Sequence, residues 1–136
     1  MARILAIDYG TKRVGFAVTD PLKIIATPLT TIDTPQALDF IISYSGTEEV
    51  ELLLIGYPTD LHGKPTDATH HVEGFIKAIR KKLPDMPIKT WDESYTSKLA
   101  MQSLVASGVK KKQRRDKKLL DQVSAAIILQ EYLQNL

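Results

Sequence analysis

The chain has 136 residues, a net charge of +2 and no cysteine. That length fits one domain with a real core, and the lack of thiols excludes disulfides and thiolate metal sites, leaving Asp, Glu, His or carbonyl oxygen to hold any metal. No apolar segment approaches the roughly 20 residues of a membrane span, and the N-terminus reads as a strand rather than a signal peptide, so a soluble cytoplasmic protein with no membrane partner is expected.

In chain order, Ile4 to Ile7 is an apolar run suited to a strand buried on both faces, and Asp8 comes where that burial should end. Gly10 lets the backbone turn, Lys12 and Arg13 stay solvated at the tip, and Val14 to Val18 return as a second strand. Asp20-Pro21 makes a turn, and Ile24 to Ile32 reads as a third antiparallel strand that Pro28 confines to a sheet edge. Thr34 is an N-cap candidate and Pro35 suits the first helical position. Leu38, Ile41 and Ile42 then recur at helical spacing, which predicts a helix from about Pro35 to Tyr44.

Glu49 to Tyr57, with the apolar run Leu52 to Ile55 inside it, reads as a central parallel strand, with a loop to about Lys64. Asp67 to Leu83 places Val72, Phe75, Ile76 and Ile79 on one helical face. Ile88 to Trp91 is a short strand leading into Asp92-Glu93. Thr96 can cap a helix to about Ser107, Gly108 stops it, and Leu119 to Leu133 forms a last amphipathic helix. The order is an α/β fold: a mixed five-stranded sheet, three antiparallel strands and then parallel ones, flanked by helices.

The small net charge hides an asymmetry. The run Lys110 to Lys118 holds seven of the 18 basic residues and one of the 16 acids, so the remainder has 11 bases against 15 acids, or −4. Such a run is often only a solvated loop or helix end, but it also suits a local polyanion contact.

Two metal ions clamping a scissile phosphate need several carboxylates, more than one segment can supply. Asp8 and the pair Asp92-Glu93 end strands that can be parallel neighbours, and a third acid would have to come from a helix crossing that end. Asp121 fits, because Ser124, Ala125 and Ile128 share its helical face and small residues permit close approach to the sheet. Each acid also has a plainer explanation: Asp8 bonding turn amides, Asp121 complementing a helix dipole. The conjunction of three, with a basic run just before the third, favours chemistry.

The stretches Ile7-Asp8-Tyr9-Gly10-Thr11-Lys12-Arg13-Val14-Gly15, Ile55-Gly56-Tyr57-Pro58, Asp92-Glu93 followed by Thr96, and Leu120-Asp121-Gln122-Val123-Ser124-Ala125-Ala126 with Ile128-Leu129-Gln130 resemble one family. It is that of the bacterial YqgF-type, Holliday-junction-resolvase-like proteins of the ribonuclease H fold, regarded as nucleases that mature the 5′ end of 16S ribosomal RNA. The resemblance covers essentially the whole chain. It implies one ribonuclease H-like nuclease domain over residues 1–136, with Asp8, Glu93 and Asp121 as catalytic ligands of Mg2+ or Mn2+. Two positions depart from the family: Ser94 stands where Arg is usual, so a phosphate contact there is missing or is supplied by Lys98 or Arg115, and Tyr57 stands where Leu is common.

The expected reaction is metal-dependent hydrolysis of a phosphodiester in structured RNA, in the setting of a pre-ribosomal particle. Lys12, Arg13, Lys110, Lys111, Lys112, Arg114, Arg115 and Lys117 would hold the nucleic-acid backbone without reading bases. Strand alternation sends Asp92 and Glu93 to opposite faces, and Glu93 is chosen from the resemblance. His70 and His71 read as surface residues, His62 as an auxiliary candidate, Trp91 as core rather than a stacking platform, and Tyr9 as a substrate contact or part of the turn.

Three alternatives remain open at the level of sequence. A four-way DNA junction could be the substrate, although nothing identifies a dimer face and the last helix exposes Tyr132 and Leu136 at most. Asp-Tyr-Gly-Thr after a leading strand also resembles the phosphate-binding start of sugar-kinase and actin-like ATPases, of which this length supplies one lobe. A non-catalytic nucleic-acid-binding module would use the basic run alone.

Overall fold

Continuous apolar runs on either side of the Gly10 bend pair as an antiparallel hairpin, β1 (Arg3–Tyr9) with β2 (Arg13–Thr19). The computed structural model describes residues 2–20, 22, 25–57, 67–92 and 117–135. Within them follow β3 (Ala26–Asp33), α1 (Thr34–Thr47), β4 (Val50–Tyr57), α2 (Asp67–Lys82), β5 (Ile88–Asp92) and α3 (Lys117–Gln134). The sheet order is β3-β2-β1-β4-β5, with β1, β2 and β3 antiparallel and β1, β4 and β5 parallel. This is the expected mixed sheet. The segment read as a helix from Thr96 to Ser107 lies outside the described residues.

β3 is an edge strand, as Pro28 requires. Pro28 lies opposite Ala17 where the register slips, so the irregularity absorbs a residue that cannot donate to the ladder. The β1 to β5 neighbourhood expected from sequence is corrected: β4 lies between them, so the ends of β1 and β5 stand two strand spacings apart, about 9.6 Å.

Both sheet faces are buried. Leu5, Ile7, Val14, Phe16, Leu53 and Ile55 pack against Ala37 and Ile41 of α1 and Val72, Phe75, Ile76 and Ile79 of α2. On the other face Ile4, Ala6, Ala17, Leu52 and Leu54 meet Ala125, Ile128, Leu129 and Tyr132 of α3. Each fully buried aliphatic side chain contributes about 1.5–3 kcal/mol. Tyr132, expected at the surface, is only 9% exposed, because α3 lays it against Trp91.

Two helix starts differ from the sequence reading. Asp33 rather than Thr34 occupies the N-cap of α1, and its side chain makes no capping bond. The Thr34 hydroxyl instead donates to the Gly10 carbonyl at 2.7 Å, and the Thr34 amide to that of Lys12 at 3.0 Å, which ties α1 to the hairpin tip. In α3, Lys117 and Lys118 belong to the helix, so Asp121 is its fifth residue and the first turn holds no acid.

Candidate active site

The parallel strands β1, β4 and β5 all end at one edge of the sheet, where β2 begins and α1 is tied down. In such sheets that edge is where ligands gather. Asp8 lies one residue before the end of β1, half-buried, and is paired across the ladder with Gly15 of β2. Alternation places it on the face of Ile4 and Ala6, beneath α3.

Gly15 makes the site possible. A β-carbon built there would lie 2.2 Å from the Asp121 carbonyl oxygen, 2.4 Å from its carbon and 3.0 Å from its own β-carbon. Only a residue without a side chain lets α3 settle this close. Directly opposed residues hold their β-carbons about 4.5–5.5 Å apart, so with the 3.0 Å step the β-carbons of Asp8 and Asp121 come within about 8.5 Å of each other. The dipole explanation for Asp121 weakens, because that attraction fades beyond a helix's first turn.

Arg13, the first residue of β2, shares the face of Gly15 and reaches α3. Its Nε donates to Asp121 Oδ2 at 3.0 Å, with each side chain about a quarter exposed, 25% and 24%. A pair this accessible contributes at most about 1 kcal/mol. Lys12 is exposed at the bend.

Across the sheet, Gly56 of β4 shares the face of Leu52 and Leu54 and puts no side chain between Asp8 and β5. On β5, Trp91 lies on that same face. It is half-buried, edge-on to Tyr132 with ring centroids 5.9 Å apart, and its indole N–H donates to Glu131 at 2.9 Å. Trp91 is therefore anchored in the core. Tyr9 also packs inward, its ring 4.6 Å from that of Phe75. His70 and His71 are exposed on α2. The Tyr57 hydroxyl donates to Glu73, and that bond, ahead of burial and the Glu73 charge, raises its pKa above the usual 10.0.

Glu93, His62, Ser94, Lys98, Lys110, Lys111, Lys112, Arg114 and Arg115 lie outside the described residues, and for Lys117 only the backbone at the start of α3 is described. Among the described residues no three metal-ligating side chains come together. Two of the three expected carboxylates do share one face. Both offer oxygen, which suits a hard divalent cation. Sequence reasoning missed Gly15 as the contact point and Arg13 as the counter-ion of Asp121; a glycine within a strand was the one available signal. A cleft of about 360 Å³ lined by Val50, Glu51, Leu83, Pro84, Met86 and Pro87 lies at the opposite end of β4 and includes none of these residues.

Comparison with known proteins identifies the family and the fold. Residues 2–135 match the family described as RuvX, Holliday junction resolvase. A protein of Christiangramia forsetii, provisionally named pre-16S rRNA nuclease, is 51% identical over 133 residues, covering 98% of each chain. A protein of Amoebophilus asiaticus with the same provisional name is 52% identical over 133 residues, 98% of this chain and 94% of the other. Among solved structures, the RuvC of T. thermophilus in complex with a Holliday junction substrate superposes with a TM-score of 0.56 at 14% identity, covering 99% of this chain and 95% of that one. That likeness is one of fold, the ribonuclease H-like fold. The chain belongs to the RuvX family of Holliday junction resolvases.

Proposed function

We propose that this protein is a cytoplasmic, metal-dependent endonuclease that hydrolyses phosphodiester bonds at the 5′ end of precursor 16S rRNA. The observation that carries the reading is the approach of Asp121 to Asp8 across Gly15. Relatives of about half-identical sequence along nearly the whole chain carry the pre-16S rRNA nuclease name. Asp8 and Asp121, with Glu93 two positions after Trp91, would hold Mg2+ or Mn2+. Such an ion supplies Lewis-acid stabilisation of charge at the phosphoryl oxygens and a more acidic water.

The chain's own residues do the rest. β1 and α3 hold two carboxylates on rigid elements, and the tie between Thr34 and Gly10 steadies the tip that carries Lys12 and Arg13. Those cations and the basic run 110–117 would take the sugar-phosphate backbone, so binding should fall steeply with salt.

The family description favours a second reading, a four-way DNA junction as substrate. Cleavage of a labelled precursor 16S RNA beside a synthetic junction, with Mg2+, Mn2+ or chelator, separates the two. Cutting of RNA alone supports the first, cutting of the junction alone the second, and binding without cutting of either opposes both.

A further inference from the structure

The Arg13–Asp121 pair sets a guanidinium on a carboxylate assigned above to a metal. Arg13 Nε lies 3.0 Å from Oδ2, and the two side chains keep about a quarter of their surface in solvent. A divalent ion binds carboxylate oxygen at about 2.0–2.1 Å, where a second cation on the same oxygen would meet strong like-charge repulsion. The two cations therefore compete for Asp121. The backbone of Arg13 is paired in β2, opposite Asp33, so the side chain alone has to move. A displaced guanidinium at the hairpin tip can bind a phosphate through two parallel N–H groups, in competition with Asp33 across the ladder.

We propose that Arg13 is a displaceable counter-ion of Asp121: it neutralises the carboxylate in the cation-free protein and transfers to a substrate phosphate when a divalent cation takes its place. This inference rests on Asp121 being a metal ligand, as read above. Cation and nucleic acid then raise each other's affinity by the same factor, because each favours the state with Arg13 released. Arg13 thus acts on the cation through Asp121 and on the substrate directly.

The test is Mn2+ binding, followed by paramagnetic resonance, to the full chain, Arg13→Gln, Arg13→Lys and Asp121→Asn, with and without a 2′-O-methyl RNA whose own Mn2+ binding is measured and subtracted. Arg13→Gln should bind Mn2+ about tenfold more tightly than wild type when RNA is absent, within the range usual for such coupling. RNA should tighten Mn2+ binding by a larger factor in wild type than in Arg13→Gln, with Arg13→Lys between them. In wild type the Arg13 Nε–H resonance should be protected from exchange and lose that protection on Mg2+ addition, a readout that holds even if a variant folds poorly.

If Asp121→Asn loses Mn2+ binding but Arg13→Gln binds Mn2+ no tighter than wild type, or Mg2+ leaves the Arg13 resonance unmoved, the counter-ion role is wrong and the metal reading stands. If Asp121→Asn binds Mn2+ as wild type does, the ligand assignment and the counter-ion role fall together.

Discussion

Gly15 lies directly under Asp121, so that a single added β-carbon would penetrate to 2.2 Å from the Asp121 carbonyl oxygen. The obstacle is backbone, which cannot rotate aside as a side chain would. Gly15→Ala should therefore lift the start of α3 off β2, at a cost toward the upper end of the roughly 1–3 kcal/mol usual for overpacking. Cleavage should fall with it, since Asp121 moves away from Asp8. Thermal melting together with cleavage rate checks this; unchanged values for both would mean that α3 does not rest on Gly15.

Thr34 makes a prediction about the hairpin tip. Thr34→Val keeps the shape but loses the hydroxyl that donates to Gly10, and the carbonyl loses that partner. The expected loss is about 1 kcal/mol, or roughly 3–5 °C in Tm for a chain of this size. Lys12 and Arg13 sit on the loosened tip, so KM for RNA should rise more than kcat falls.

How much of this could be read beforehand depended on the range of the interaction. The hairpin, the β4 run and the apolar face of α2 were legible because neighbouring residues carry the period. Asp8 could be singled out for the same reason. The Gly15 contact and the Arg13 ion pair were not legible, because the partner on α3 lies more than 100 positions away, 108 in the case of Arg13. The order of β1, β4 and β5 is likewise a matter of crossovers, and strand patterns do not encode it. Thr34 and Asp33 are both competent caps, and the Gly10 carbonyl, folded back by the bend, decided between them. Tyr132 looked exposed because α3 reads as a terminal helix until Trp91 is placed against it.

Tyr57 and Glu73 give a pH prediction. The phenol is raised by its bond to Glu73, then by burial and the Glu73 charge. Its protonated form is the one the fold favours, so this contribution to stability is fully present below pH 10 and is lost as pH rises through the raised folded value. Glu73→Gln should bring the phenol back toward 10.0. Tyr44 is also raised, mainly by burial, with Arg3 lowering and Glu48 raising it further, and should be unaffected by the change at Glu73. An absorbance titration of tyrosinate in wild type and Glu73→Gln checks the pair; identical curves would show that the bond does not form in solution.

The central claim is that Asp8 and its partners hold a metal that cuts nucleic acid. The most direct measurement is cleavage of labelled precursor 16S RNA by wild type and by Asp8→Asn, each with Mg2+, Mn2+ or chelator, with melting curves to show that the variant is folded. Metal-dependent cutting by wild type, lost by at least about a hundredfold in folded Asp8→Asn, is the expected result, as for removal of a group that stabilises charge in the transition state. Full cutting by Asp8→Asn, or cutting by wild type that persists in chelator, would contradict the account.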